Sequence, residues 1–466
     1  MKRFALLAMA LMGTALGAQP PAAPSETLTV PVFGQVTIYA PAGRTPSEVV
    51  LFISGDGGWN LGVVAMAERL RDLGALVVGI DIRSLMRSLG AAHGCAYPAG
   101  NLEELSRNVQ LHMKLPAYKR PLLVGYSSGA TLVYAALASA PPETFAGAIS
   151  LGFCPDLMIH TPLCEMRGLK THKRTDGHGY DVTPFAGLNV PWMVLQGEVD
   201  QVCGPAATRA FVGATGSSQL FSLPLVGHGF GVPRNWEPQF LDAYRTAASE
   251  ARRDDVGPPS APDVGDLSLV EVPARSGARQ DLMAVIVTGD GGWAELDKAV
   301  GTTLAAEGVP TVGWSSLRYF WTPRTPEQAA ADLARIIAHY TTAWHKPRVT
   351  LVGYSFGADV LPFLVARLAP EMKARIAHVT LLGLSPNASF EFHVAEWLGG
   401  GPTTDYRTVP EVERLTVPVT CVYGASERDS ACPALRGGHI SAVTVGEGHH
   451  FSGDYRRLGA IILRQQ

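Results

Sequence analysis

Two serines stand where chemistry would be expected. Ser355 is the centre of Gly353-Tyr354-Ser355-Phe356-Gly357, directly after the apolar run VTLV and before a helix-forming stretch. A G-x-S-x-G sequence in that strand–turn–helix setting places a serine on a strained turn, with its hydroxyl projecting from the top of a sheet. A serine hydroxyl is a poor nucleophile at neutral pH, so it needs a base, and the base needs an orienting carboxylate. His449 follows the last apolar run and supplies the base. Its neighbour His450 is the rival. Asp429 and Glu427 both qualify as the acid. Ser127, in Gly125-Tyr126-Ser127-Ser128-Gly129, heads a second candidate triad with Asp200 and His228.

The two sets are copies. VLFISGDGGW at 50–59 matches AVIVTGDGGW at 284–293, and LLVGYSSGA at 122–130 matches TLVGYSFGA at 350–358. From Gly55 the steps to Ser127, Asp200 and His228 are 72, 73 and 28, against 66, 74 and 20 from Gly289 to Ser355, Asp429 and His449. Four anchors in one order make the chain a tandem duplication. The copies align His228 with His449. They align Asp200 with Asp429 through the shared spacing to Cys203 and Cys432, so Asp429 is the preferred acid.

The Gly-Asp-Gly-Gly-Trp element ends a strand where an oxyanion loop belongs. Backbone N–H groups of Gly289, Asp290 and Gly291, with that of Phe356, could meet a developing oxyanion, each donor contributing roughly 2.7–4 kcal/mol. The loop lacks the Lys-Ser/Thr of a phosphate-binding P-loop. A carboxylate inside such a loop is odd. Asp290 either turns away to cap the next helix or hold the loop, or it meets a cation on the substrate. Trp293, with Trp59 in the first copy, is either core or ligand contact. Phe320 and Trp321, after a strand end, and Phe390, Phe392 and Trp397 could meet a ligand or fill the core.

Apolar, β-branched runs must position these residues. In the second copy they fall near Leu267–Val272, Met283–Thr288, Thr311–Trp314, Val349–Gly353, His378–Gly383, Val417–Tyr423 and Ile440–Val445. A helix is predicted over Pro326–Trp344, where apolar residues recur at three and four. Strands alternating with helices imply an α/β fold with a mostly parallel sheet covered on both faces, and ligands beyond its carboxyl edge. The expected organisation is a signal peptide at 1–18, a first domain at 27–249, a charged Pro/Gly-rich linker at 250–265 and a second domain at 266–466.

The charge balance of −3 across 466 residues shows no basic face for nucleic acid. Met1-Lys2-Arg3, an apolar run to about Ala18 and prolines close behind fit a cleaved secretory signal. Six cysteines in an exported chain favour disulfides. The economical pairing is Cys421–Cys432, Cys154–Cys164 and Cys95–Cys203. No Cys/His cluster has zinc spacing, so neither metal nor other cofactor is expected.

Taken together, TGDGGW at 288–293, WSSLRYFW at 314–321, GYSFGAD at 353–359 and LLGLSPNASFEFHVAEWLG at 381–399 resemble the VirJ/AcvB virulence-protein family. The likeness covers nearly the whole mature chain. It implies two tandem α/β-hydrolase domains in the periplasm. The implied activity is serine hydrolysis of the aminoacyl ester of lysyl- or alanyl-phosphatidylglycerol at the membrane surface, by the C-terminal copy. Periplasmic protein partners are also compatible with the resemblance. A carboxylesterase of other specificity and a non-catalytic adaptor of a secretion apparatus are the alternative readings.

Overall fold

The computed structural model describes residues 25–92, 94–255, 263–274, 281–392 and 406–465. The expected signal peptide, linker residues 256–262 and Trp397 lie outside the described residues. Two large sheets follow one another along the chain. The first comprises β1 (Ser25–Val30), β2 (Gly34–Tyr39), β3 (Glu48–Ile53), β4 (Ala75–Ile80), β5 (Leu122–Tyr126), β6 (Gly147–Leu151), β7 (Trp192–Gly197) and β8 (Ser218–Leu223). Its spatial order is β1-β2-β4-β3-β5-β6-β7-β8. The β1–β2 and β2–β4 pairs are antiparallel and the remainder are parallel.

The second sheet comprises β9 (Leu269–Val272), β10 (Leu282–Val287), β11 (Thr311–Trp314), β12 (Arg348–Tyr354), β13 (Ile376–Leu382), β14 (Val419–Tyr423) and β15 (Ile440–Thr444). Its order, β9-β11-β10-β12-β13-β14-β15, repeats the first sheet from β2 onward. Again one edge pair is antiparallel and the rest are parallel. With helices on both faces, each copy has the α/β-hydrolase architecture.

The pattern follows from burial on two faces. In β10 every residue is buried: Met283, Val285 and Val287 join one apolar layer, while Leu282, Ala284 and Ile286 join the other. Such strands carry no polar alternation. The Pro326–Ala343 helix begins at Thr325, whose hydroxyl accepts from Gln328 N–H at 3.2 Å while the Gln328 amide oxygen accepts from Thr325 N–H at 3.0 Å. This reciprocal cap satisfies two donors that the first turn leaves open. The periodic apolar residues of that helix, from Ala329 to Tyr340, are buried as their spacing predicts.

Three disulfides are present: Cys95–Cys164, Cys154–Cys203 and Cys421–Cys432. The pairing expected within the second copy is found. The two expected within the first are exchanged. Cys154 follows β6 and Cys203 follows β7; these strands are parallel neighbours, so their carboxyl ends meet. Cys95 and Cys164 flank the isolated Ala96–Leu163 bridge. Among the described residues no helix is long and apolar enough to cross a membrane.

The copies touch through the Pro98–His112 helix of the first and the segment after it. Trp321 Nε1 donates to Leu115 O at 2.8 Å, and its ring packs against Tyr118 with centroids 5.4 Å apart. Lys298 pairs with Glu143 at 3.1 Å.

Candidate active site

Ser355 and Ser127 occupy sharp turns at the carboxyl ends of β12 and β5, each followed by a helix. Their φ values are 51° and 56°, a region that costs an L-residue energy and persists only where the surroundings enforce it. The flanking glycines do the enforcing. A Cβ on Gly357 would lie 2.0 Å from Val287 O, and one on Gly353 would lie 2.5 Å from Gly357 O. Strand and helix therefore approach only because both positions lack side chains.

In the first copy the triad is complete. Ser127 Oγ lies 2.9 Å from His228 Nε2, and His228 Nδ1 lies 2.9 Å from Asp200 Oδ2. Asp200 is buried, and its other oxygen accepts from Val202 and Cys203 N–H at 2.8 and 2.9 Å. Asp200, Cys203 and His228 lie close enough to suggest metal ligands. The Cys203 sulfur is committed to Cys154, however, and the Asp200–His228 bond already uses the facing atoms.

In the second copy His449 is joined to a different acid. His449 Nδ1 is 2.5 Å from Glu427 Oε1, and Glu427 Oε2 accepts from Gly424 N–H at 3.1 Å. Asp429, the acid preferred from spacing, is exposed and makes no hydrogen bond among the described residues. The cysteine spacing misled because Cys203 and Cys432 are not equivalent: one bonds Cys154 on a neighbouring strand end, the other Cys421 within β14. The strand-end glycines were the better ruler. Asp200 and Glu427 each lie three residues beyond one, with Asp200 N–H donating to Gly197 O and Glu427 N–H to Gly424 O. Glu427 and His449 are linked, but no hydrogen bond joins Ser355 Oγ to His449 among the described residues. His450 instead faces the Tyr354 hydroxyl, 3.1 Å from its Nδ1, and burial lowers its basicity.

The glycine loop lies against the elbow. A Cβ on Gly289 would be 3.5 Å from Ser355 Cβ, and one on Gly55 would be 3.0 Å from Ser127 Cβ. Among the described residues the N–H groups of Gly289, Asp290 and Phe356 donate no hydrogen bond, which leaves them available to an oxyanion. Asp290 neither caps the following helix nor stands alone. Its Oδ2 takes Arg107 Nη1 of the first copy at 2.5 Å, and its carbonyl lies 3.4 Å from the same nitrogen. Glu103, one turn earlier on that helix, approaches Gly291, and burial pushes its carboxyl up to about 7. The Arg107 guanidinium also lies 5.9 Å from the centre of the Phe392 ring, which packs on Phe356 at 4.9 Å. Nothing in the spacing of the second copy could reveal a residue supplied by the first.

Trp293, Phe320, Trp321 and Phe390 are buried. Trp293 lies over Gly313, where a Cβ would meet its ring at 2.3 Å. Phe320 is fully buried between Phe356 and Phe390, and Trp321 is buried against the first copy. Phe392 is only partly buried. Asp359, in the elbow helix, accepts from Ser385 N–H at 2.7 Å and is pushed up to about 8 by burial. It ties down the loop after β13, as Thr131 does in the first copy by donating to Cys154 O at 2.6 Å.

No curated protein matches the sequence. Solved structures similar to it include the esterase domain of a Rhodothermus marinus protein, at 17% identity over 49% of this chain and 98% of that one, with a TM-score of 0.34. The serine hydrolase XC6422 of Xanthomonas campestris, described as lidless, is 24% identical over 52% of this chain and 99% of that one, with a TM-score of 0.32. An α/β serine hydrolase homologue from Coxiella burnetii is 19% identical over 50% and 99%, with a TM-score of 0.31. The family described as bacterial virulence protein VirJ matches at residues 47–149 and 281–466, more than half of the sequence, and the chain belongs to that family.

Proposed function

We propose that the C-terminal copy is a periplasmic serine hydrolase that cleaves the aminoacyl ester of lysyl- or alanyl-phosphatidylglycerol, releasing the amino acid and phosphatidylglycerol. The carrying observation is the link between His449 Nδ1 and Glu427 beside a nucleophile elbow with unclaimed N–H groups. Glu427 fixes the imidazole so that Nε2 is the atom presented for proton transfer, and it stabilises the imidazolium once formed.

Ser355 Oγ attacks the ester carbonyl as His449 takes its proton. The carbonyl oxygen becomes an oxyanion against the N–H groups of Phe356 and the Gly289–Asp290 loop. His449 then protonates the departing glycerol oxygen, and water, activated by the same imidazole, frees the amino acid from Ser355. The α-ammonium of such a substrate lies two bonds from the scissile carbonyl. Asp290, half exposed, lies beside the oxyanion loop with its carboxylate on Arg107, and Glu103, pushed up to about 7 by burial, approaches Gly291. The exposed part of the Asp290 carboxylate supports an ester carrying positive charge. The three disulfides support an oxidising compartment.

The test is incubation of the purified chain with vesicles of lysyl- or alanyl-phosphatidylglycerol. Free amino acid and phosphatidylglycerol should appear in equal amounts and disappear with Ser355→Ala. Turnover of simple esters but of neither lipid would leave a carboxylesterase of other specificity. Turnover of neither would leave the adaptor reading.

A further inference from the structure

We infer that the N-terminal copy is a second, separate hydrolytic site, taking esters of small uncharged acyl groups. Its three catalytic groups are already joined by two hydrogen bonds of 2.9 Å, whereas the C-terminal copy shows only the acid–base link. The Ser127 backbone carries the same strain as Ser355, and the N–H groups of Gly55, Asp56 and Ser128 donate no hydrogen bond among the described residues. Such strain in a copy that had lost its chemistry would have no use, and relaxing it would stabilise the fold.

A cavity of about 330 Å³ lies beside this elbow, reaching Gly55, Tyr126 and Gly229 but not lined by Ser127 or His228 themselves. It opens between the Gly55–Gly58 loop, the first turns of the helix that follows, and the loop beyond His228, with Val63, Met66, Tyr126, Phe230 and Trp236 in its walls. Among the described residues no charged side chain lines it. The volume is at the lower end of small-ligand pockets, and its lining combines apolar side chains with glycine backbone and Asn60. The first copy has Asp56 where the second has Asp290, but Asp56 is exposed and outside the cavity lining, whereas Asp290 is held by Arg107 with Glu103 close by. An ammonium group inside the N-terminal cavity would lose its hydration with no charged side chain on the lining, Asp56 lying outside it, while a short alkyl chain would gain from burial.

The step is acyl transfer to water. The Ser127 Oγ–carbonyl bond forms as the hydroxyl proton passes to His228 Nε2. The ester C–O bond breaks, and that proton leaves on the alcohol. Water then adds to the acyl-serine, giving its proton to His228, and the carboxylic acid departs as Ser127 recovers its proton. No co-reactant beyond water is consumed.

The experiment uses the full chain with an alkyl fluorophosphonate and p-nitrophenyl butyrate, the labelled peptides being identified by mass spectrometry. Expected are labelling of both Ser127 and Ser355, and butyrate turnover that survives Ser355→Ala but falls at least a hundredfold on adding Ser127→Ala. Met66→Trp, which fills the cavity, should lower butyrate turnover by Ser355→Ala more than acetate turnover. Labelling of Ser355 without Ser127 would overturn the inference and leave the C-terminal reading standing. Labelling of Ser127 without Ser355 would do the reverse. Butyrate turnover abolished by Ser355→Ala alone would also overturn it.

Discussion

Arg107→Ala changes a residue of the first copy, yet the effect should appear at Ser355. Arg107 holds Asp290 through a charge-assisted bond and lies over Phe392, which packs on Phe356. It therefore braces both arms that carry the unclaimed N–H groups. A charge-assisted bond contributes about 1.5–3 kcal/mol when sheltered. Asp290 is 48% exposed and Arg107 20%, so solvent reduces the direct loss to about 1 kcal/mol. Removing the guanidinium also leaves the Asp290 carboxylate uncompensated beside the forming oxyanion. Losing one oxyanion donor outright costs about 2.7–4 kcal/mol, and a loop that is loosened but present should cost less. The sum is about 2 kcal/mol, or roughly a thirtyfold fall in kcat at Ser355 with little change in KM. The assay is ester turnover in a Ser127→Ala background, where only the C-terminal site can act. A double-mutant cycle with Asp290→Asn should show coupling of about 1 kcal/mol. Unchanged kcat for Arg107→Ala, or strictly additive single effects, would refute the bracing role.

Other outcomes follow from the same geometry. Glu427→Gln should lower kcat at Ser355 by about a thousandfold or more, by analogy with triads whose acid is neutralised, while Asp429→Asn should leave it unchanged; steady-state kinetics decide between them. Replacing Cys154 and Cys203 by serine frees a loop with a sequence separation of 49 and should cost roughly 4 kcal/mol on the loop-entropy model, against roughly 3 kcal/mol for the separation of 11 between Cys421 and Cys432. Thermal melting of the two variants should rank them in that order. Burial raises the Glu103 carboxyl to about 7, so the folded protein holds this proton more tightly than the unfolded chain. That contribution is complete below the ordinary carboxyl value and is lost as pH climbs through about 7. Glu103→Gln should flatten the decline in stability over that window, removing at most roughly 3 kcal/mol of pH dependence, as read from denaturant midpoints.

What could be read from the sequence was set by local rules. Strands such as Thr311–Trp314 and the Pro326–Ala343 helix were legible because burial leaves its period in the residues, and caps and prolines mark the ends. The elbows were legible because the chemistry demands glycines at fixed positions on either side of the serine. The short strands Thr171–Lys173 and Tyr180–Val182, inserted before β7, left no such trace, since each has only three residues and one buried side chain between them. The acid was misassigned because cysteine spacing served as a ruler, while the cysteines themselves bond to different elements. The two exchanged disulfides have the same origin: partners are chosen by neighbouring strand ends, which the chain order does not reveal. Arg107 and Glu103 were out of reach altogether, because their meeting with Asp290 depends on how one copy docks on the other.

The central claim is an acyl-enzyme at Ser355 formed from an aminoacyl lipid. It is tested most directly by mixing the intact chain with lysyl-phosphatidylglycerol vesicles, quenching in acid within the first turnovers, and mapping modified peptides by mass spectrometry. The account predicts a lysyl ester on Ser355 that is absent from Ser355→Ala. Lysine released at the wild-type rate by Ser355→Ala, with no lysyl group on Ser355 in the native chain, would contradict it.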